Sequence, residues 1–141
     1  MTIRLSFPLS GVRLLSALAL AVAAHGAQAA APDPALKAFL AKFADMAAHG
    51  AADSMAKVTR FPLRNEVYQA PERISAAGFK HHFELNRFRE MAGCLKTTPP
   101  QRAGAENVKL GEWIVECDGN NFYFAKTDDG WRFSGFENVN E

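Results

Sequence analysis

Cysteine is scarce in this chain: Cys94 and Cys117 are the only two. They do not form a C-x-x-C pair, and no second pair of ligands is spaced to complete a zinc site. An excess of one charge is missing too, with 16 Lys and Arg against 15 Asp and Glu. That balance offers no basic face for nucleic acid and disfavours an anionic membrane surface. No G-x-x-x-x-G-K-[ST] or G-x-G-x-x-G phosphate loop occurs, and no G-x-S-x-G nucleophile elbow. Long apolar runs are lacking as well. The longest, LLSALALAVAA from Leu14 to Ala24, falls short of the ~20 residues that span a bilayer as a helix.

That run has another use. MTIRLSFPLSGVR before it carries Arg4 and Arg13 and no acid, and AHGAQA after it ends in small residues around a polar one. A basic n-region, a short h-region and an A-x-A site are the parts of a secretory signal peptide, with cleavage expected near Ala29. The expected product is exported, periplasmic or secreted, without a membrane anchor. It runs from Ala30 to Glu141 as a single domain of 112 residues with 14 basic and 15 acidic side chains. In an oxidising compartment an isolated cysteine pair predicts a Cys94–Cys117 disulfide.

Phenylalanine is abundant, at eleven residues, and its placement is periodic. Asp33 and Pro34 suit an N-cap and a first helical position. Leu36, Phe39, Leu40, Phe43, Met46 and Ala47 then fall on one helical face, which Gly50 ends. Asp53 is positioned to cap a second, shorter helix bearing Met55 and Val58, and Pro62 stops it. Phe61 to Tyr68 alternate as a short strand, with Phe61, Leu63 and Val67 on one side. Ala70-Pro71 is a turn, and Ser75 is expected to cap a third helix from about Ala76 to Met91.

The last third predicts sheet. NVKLGEWIVECD, NFYFAK and WRFSGFENV are β-rich runs separated by the Asp118-Gly119 and Asp129-Gly130 turns, after a loop from Thr97 to Asn107. Trp113, Val115 and Cys117 should share one face, and Leu110 and Ile114 the other. Phe122 and Phe124 should oppose Tyr123 and Ala125.

ALKAFLAKFADMAAHGAADSMAKVTRFPL is similar to the helix–Gly–helix opening of the nuclear transport factor 2-like superfamily, and AKTDDGWRFSGF resembles its final hairpin. The resemblance covers nearly the whole chain after Ala29. It implies an α+β fold in which N-terminal helices pack on a curved antiparallel sheet to form a cone. Because the fold hosts unrelated functions, it leaves activity open.

The enzymes of that fold include acid–base catalysts of the ketosteroid isomerase and dehydratase type, and the resemblance implies for them a carboxylate or histidine, with a tyrosine or second acid, inside the cone. Tyr68, His82 and Glu112 are the residues this chain offers for that alternative. Tyr123 and Asp45 are further candidates, the first better suited to packing and the second to solvent. His81 and His82 are helix neighbours about 100° apart, so they do not converge on one metal ion. Phe79 and Phe83 should point inward, leaving His82 on the flank and His81 in water. No metal and no organic cofactor is expected.

The favoured reading is a non-catalytic binding protein. Phe39, Phe43, Phe61, Trp113 and Phe124 either fill the core or line an apolar small-molecule pocket in the cone. A periplasmic protein partner, or a second copy forming a homodimer through the sheet, is the other expectation. Exposed Tyr123 or Phe136 would mark that surface.

Overall fold

The computed structural model describes residues 30–67 and 72–140. Residues 1–29, with the expected signal peptide, lie outside it, as do Tyr68 and the Ala70-Pro71 turn.

Helix α1 (Pro34–Ala48) starts where Asp33 accepts a 2.8 Å hydrogen bond from the Ala35 N–H. Leu36, Leu40, Phe43, Ala44 and Ala47 form its buried face. It ends at Gly50, whose φ of +66° is the left-handed geometry a helix stop requires. In helix α2 (Ala52–Lys57) the N-cap is Ala51, so Asp53 sits in the first turn and not at the cap. Asp53 still opposes the positive end of the helix there. Thr59 closes α2 by donating its hydroxyl to the Met55 carbonyl at 2.7 Å.

Strand β1 (Thr59–Val67) follows, then β2 (Glu72–Ile74), α3 (Phe79–Leu85), α4 (Ala92–Thr97), β3 (Gln101–Arg102), β4 (Trp113–Cys117), β5 (Asn120–Thr127) and β6 (Gly130–Asn138). The sheet order is β2-β1-β6-β5-β4-β3, unclosed and curved. Four of its five pairings are antiparallel; β1 and β6 run parallel, one pairing in from the β2 edge. This is the expected α+β arrangement of helices on a curved sheet.

Three local features depart from the sequence reading. The third helix is not continuous from Ala76 to Met91. Ser75 does accept from the Gly78 N–H at 3.2 Å, but α3 spans only Phe79–Leu85, and Arg87 adopts a positive φ of 55°. The reason lies in the apolar spacing. At 100° per residue a continuous helix would carry Phe88 far round from Phe79 and Phe83. The break returns Phe88 to the core, where it is fully buried and its ring centroid lies 5.0 Å from that of Phe122 and 5.4 Å from that of Phe83. The short edge strands β2 and β3 were not expected; β3 lies inside the predicted loop.

Strand alternation holds. Trp113, Val115, Cys117, Phe122, Phe124, Phe133 and Phe136 join the helices in the main core. Leu110, Ile114 and Tyr123 form a second, smaller cluster on the outer face. Between Phe133 and Gly135 the β5–β6 register shifts by one residue, a bulge that lets both Phe133 and Phe136 point inward. Cys94 of α4 and Cys117 of β4 are joined as a disulfide with Cα atoms 5.8 Å apart, so the covalent link ties a helix to the sheet.

The outer face is not bare. The Ser134 hydroxyl donates to the Leu110 carbonyl at 2.6 Å, and the Ala103 N–H donates to the Glu112 carbonyl at 3.0 Å. Lys109 pairs with Glu66 of β1 at 3.7 Å. Residues 103–112 therefore cross over the sheet and cover Tyr123, which is fully buried. Phe136 is fully buried on the opposite face. The expectation that either would be an exposed interface marker is corrected: one lies under the crossing segment and the other under α3.

Candidate functional site: a polar cleft at the sheet end

Helix α3 carries the site's first component. Its positions i and i+4 place Asn86, just past the last turn, against His82. The Asn86 side-chain nitrogen lies 3.0 Å from the His82 carbonyl oxygen and 3.0 Å from His82 Nδ1. An amide turned the other way would set its oxygen against that carbonyl. The carbonyl therefore dictates that Asn86 presents its NH2 group, so Nδ1 accepts a hydrogen bond and the imidazole proton resides on Nε2.

His82 is 3% exposed, which corrects its expected position on the helix flank. The rings of Phe136, Phe88 and Phe79 surround it, with centroids at 5.3, 5.4 and 6.3 Å. Burial, and secondarily the charge of neighbouring His81, push the imidazole down to about 4. It is neutral at pH 7, and its Nε2–H finds no acceptor among the described residues. His81 is exposed, as expected.

The second component comes from the sheet. Asn65 of β1 stands in register with Phe136 of β6 on one side and Glu72 of β2 on the other. It is 6% exposed. Its side-chain nitrogen donates to the Glu72 carboxylate at 3.5 Å, which leaves Oδ1 as the free end. That oxygen has no donor among the described residues.

Asn65 and His82 line the same cleft of about 510 Å³, bounded by β2, α3 and Asn138 of β6. The volume lies within the ~300–1,000 Å³ of small-molecule sites. Buried polar atoms are nearly always paired, so a donor and an acceptor left over in two residues that line one cleft mark it out.

The other predicted residues do not converge here. Tyr68 lies outside the described residues. Glu112 is half-exposed and pairs with Arg102 at 3.8 Å. Tyr123 donates to Glu137 at 2.8 Å, and its hydroxyl is pushed up by burial and then by that carboxylate. Asp45 is exposed beside Lys96 at 3.5 Å. Tyr123 and Asp45 therefore have the packing and solvent positions expected of them.

Phe39, Phe43, Phe61, Trp113 and Phe124 belong to the packed interior or border it. Ring centroids lie 5.3 Å apart for Phe43–Phe124, 6.0 Å for Phe39–Phe43 and 5.7 Å for Phe61–Phe79. None of the five lines the cleft. Asn65, Asn86 and Glu72 were missed by the sequence reading. The available signals were a polar residue alternating with inward Leu63, and an Asn four residues after a histidine.

Among the described residues no group of three or more His, Cys, Asp or Glu could hold a metal ion, and no helix is long and apolar enough to cross a membrane.

No protein-family model matches the chain, and no curated protein matches it. Solved structures do. One is an NTF2-like protein with a cystatin-like fold from Novosphingobium aromaticivorans, at 12% identity and a TM-score of 0.39 over 72% of this chain and 77% of that one. Another, named Rd1NTF2_05 with long sheet, is 11% identical with a TM-score of 0.40 over 73% of this chain and 94% of that one.

Proposed function

We propose that this protein is an exported binding protein that holds a small molecule in the cleft between α3 and strands β1, β2 and β6. The observation that carries this reading is that two residues lining one cleft, His82 and Asn65, each hold a buried, unpartnered polar atom, Nε2 and Oδ1. Leaving such atoms unpaired costs roughly 1–3 kcal/mol each, and a bound ligand recovers that cost. The ligand enters by a polar end, because the aromatic rings already occupy the space behind it. Export is supported by the signal-peptide pattern of residues 1–29 and by the Cys94–Cys117 disulfide, which suits an oxidising compartment. Binding at the cleft is preferred to a partner on the outer sheet face because residues 103–112 cover part of that face.

Native mass spectrometry of the protein recovered from its own host tests the reading. The wild type should retain a small-molecule mass that an Asn65→Leu/His82→Leu variant loses while remaining folded. Retention of the same mass by the folded variant would place the ligand elsewhere. A ligand-free wild type found as a complex with another chain would move the function to the protein surface.

A further inference from the structure

Resting on the cleft as the binding site, we infer that it selects an uncharged ligand group that both accepts and donates a hydrogen bond, such as a carboxamide or lactam, over a carboxylate or an amine.

Two residues that line the cleft have orientations dictated by their neighbours. The His82 carbonyl sets the Asn86 amide, and that amide sets the imidazole, so the ring has its free donor at Nε2. The Glu72 carboxylate sets the Asn65 amide the opposite way, so Asn65 offers an acceptor at Oδ1. Neither can turn over without placing like poles together. One free donor and one free acceptor, both neutral and both buried, therefore belong to two residues that line the cleft.

A carboxylate can satisfy Nε2–H but has no proton for Asn65 Oδ1, and the two oxygens repel. An ammonium can satisfy Oδ1 but repels the Nε2–H. Either ion also gives up its hydration beside the Phe79, Phe88 and Phe136 rings without a buried counter-charge. The charges nearest the cleft, Glu72 and Arg73 of β2, are exposed, adjacent and opposite in sign, and the third titratable neighbour, His81, is exposed on α3. They supply no net field favouring either ion. A carboxamide carries a carbonyl for Nε2–H and an N–H for Oδ1, and leaves neither unpaired.

Benzamide, benzoate and benzylamine share a ring and differ in the head group, so they separate these cases. Each is titrated at pH 7 into isotopically labelled full-length mature protein, following the His82 imidazole and Asn65 side-chain amide resonances by NMR. Benzamide should shift both saturably, with benzoate and benzylamine at least about tenfold weaker, the scale of one unpaired buried group. Long-range imidazole correlations should place the proton on Nε2. The Asn86→Asp variant, which sets an acceptor beside Nδ1 and draws the proton there, should lose the preference for benzamide.

Tighter binding of benzoate or benzylamine with shifts at the same two residues would overturn the neutral-group inference and leave the cleft in place. Shifts confined to other residues, or none at millimolar concentrations of any of the three, would overturn both.

Discussion

Leu110 is seated directly on Gly135: a Cβ added to the glycine would stand 2.8 Å from the Leu110 Cβ and 2.9 Å from its carbonyl oxygen. That contact, with the Ser134–Leu110 hydrogen bond, keeps residues 103–112 against the outer face of the sheet. Gly135→Ala should therefore lift the segment, at a cost of about 1–3 kcal/mol for overpacking. Lifting it uncovers Ile114 and Tyr123, a fresh apolar surface able to pair with a second copy. Sedimentation velocity should show the variant shifted toward larger species relative to wild type. An unshifted, equally stable variant would mean that the segment does not guard this face.

His82 gives stability a pH dependence of definite sign. Its folded value of about 4 lies below the ordinary 6.5, so the unfolded chain binds the proton first. Stability should be unaffected by this group above pH 6.5 and should fall as pH drops from there toward 4. The full loss amounts to about 3 kcal/mol for a shift of this size. Denaturant unfolding of wild type and His82→Leu between pH 4 and 7 checks this. The variant should lose the slope in that window, and parallel curves would refute the assignment.

Asn65 should trade stability against binding. Asn65→Leu removes a buried acceptor that has no donor among the described residues and gives up one 3.5 Å hydrogen bond to Glu72. The net change should be a gain of about 1 kcal/mol, since an unsatisfied buried group costs more than a long bond contributes. Thermal unfolding of the ligand-free proteins measures it. A clear loss of stability would show that Asn65 is paired in solution and has no free end to offer.

Parts of this architecture were legible in the sequence because they depend on local periodicity. The α1 face, the opposite pointing of Phe122 and Tyr123, and the Cys94–Cys117 pairing follow from spacing and compartment alone. The site was much less legible. His82 is buried because the chain leaves the helix at Arg87 and brings Phe88 back over the imidazole, and no helical repeat announces a left-handed residue. Asn65 gains its orientation from Glu72 on an edge strand three residues long. Such a strand exists through its pairing and not through its own propensity. The Phe39, Phe43 and Phe124 rings pack against one another, but composition does not distinguish a lined cavity from a filled one.

The disulfide should matter to stability more than to the cleft. It joins residues 23 positions apart, and closing a loop of that size stabilises by about 3.5 kcal/mol on the chain-entropy model. Neither cysteine lines the cleft. The Cys94→Ala/Cys117→Ala variant should lower the denaturant midpoint accordingly, yet retain the affinity for benzamide when assayed at a temperature where it remains folded. Loss of binding by folded variant would mean that α4 and β4 hold the cleft open.

Phe43 separates a packed interior from a ligand pocket most sharply. It is fully buried, with the Phe124 ring at 5.3 Å and the Phe133 ring at 5.1 Å, so truncation leaves a cavity its neighbours cannot close. Phe43→Ala should cost about 3–5 kcal/mol. If this ring is core and the ligand binds beside His82, the variant's benzamide affinity should stay near that of wild type while its unfolding midpoint falls. A cone that itself holds the ligand predicts the reverse: a small stability cost in the free protein and a large loss of binding. Measuring both quantities on the one variant decides between the two, because a core residue moves the first and a pocket residue moves the second.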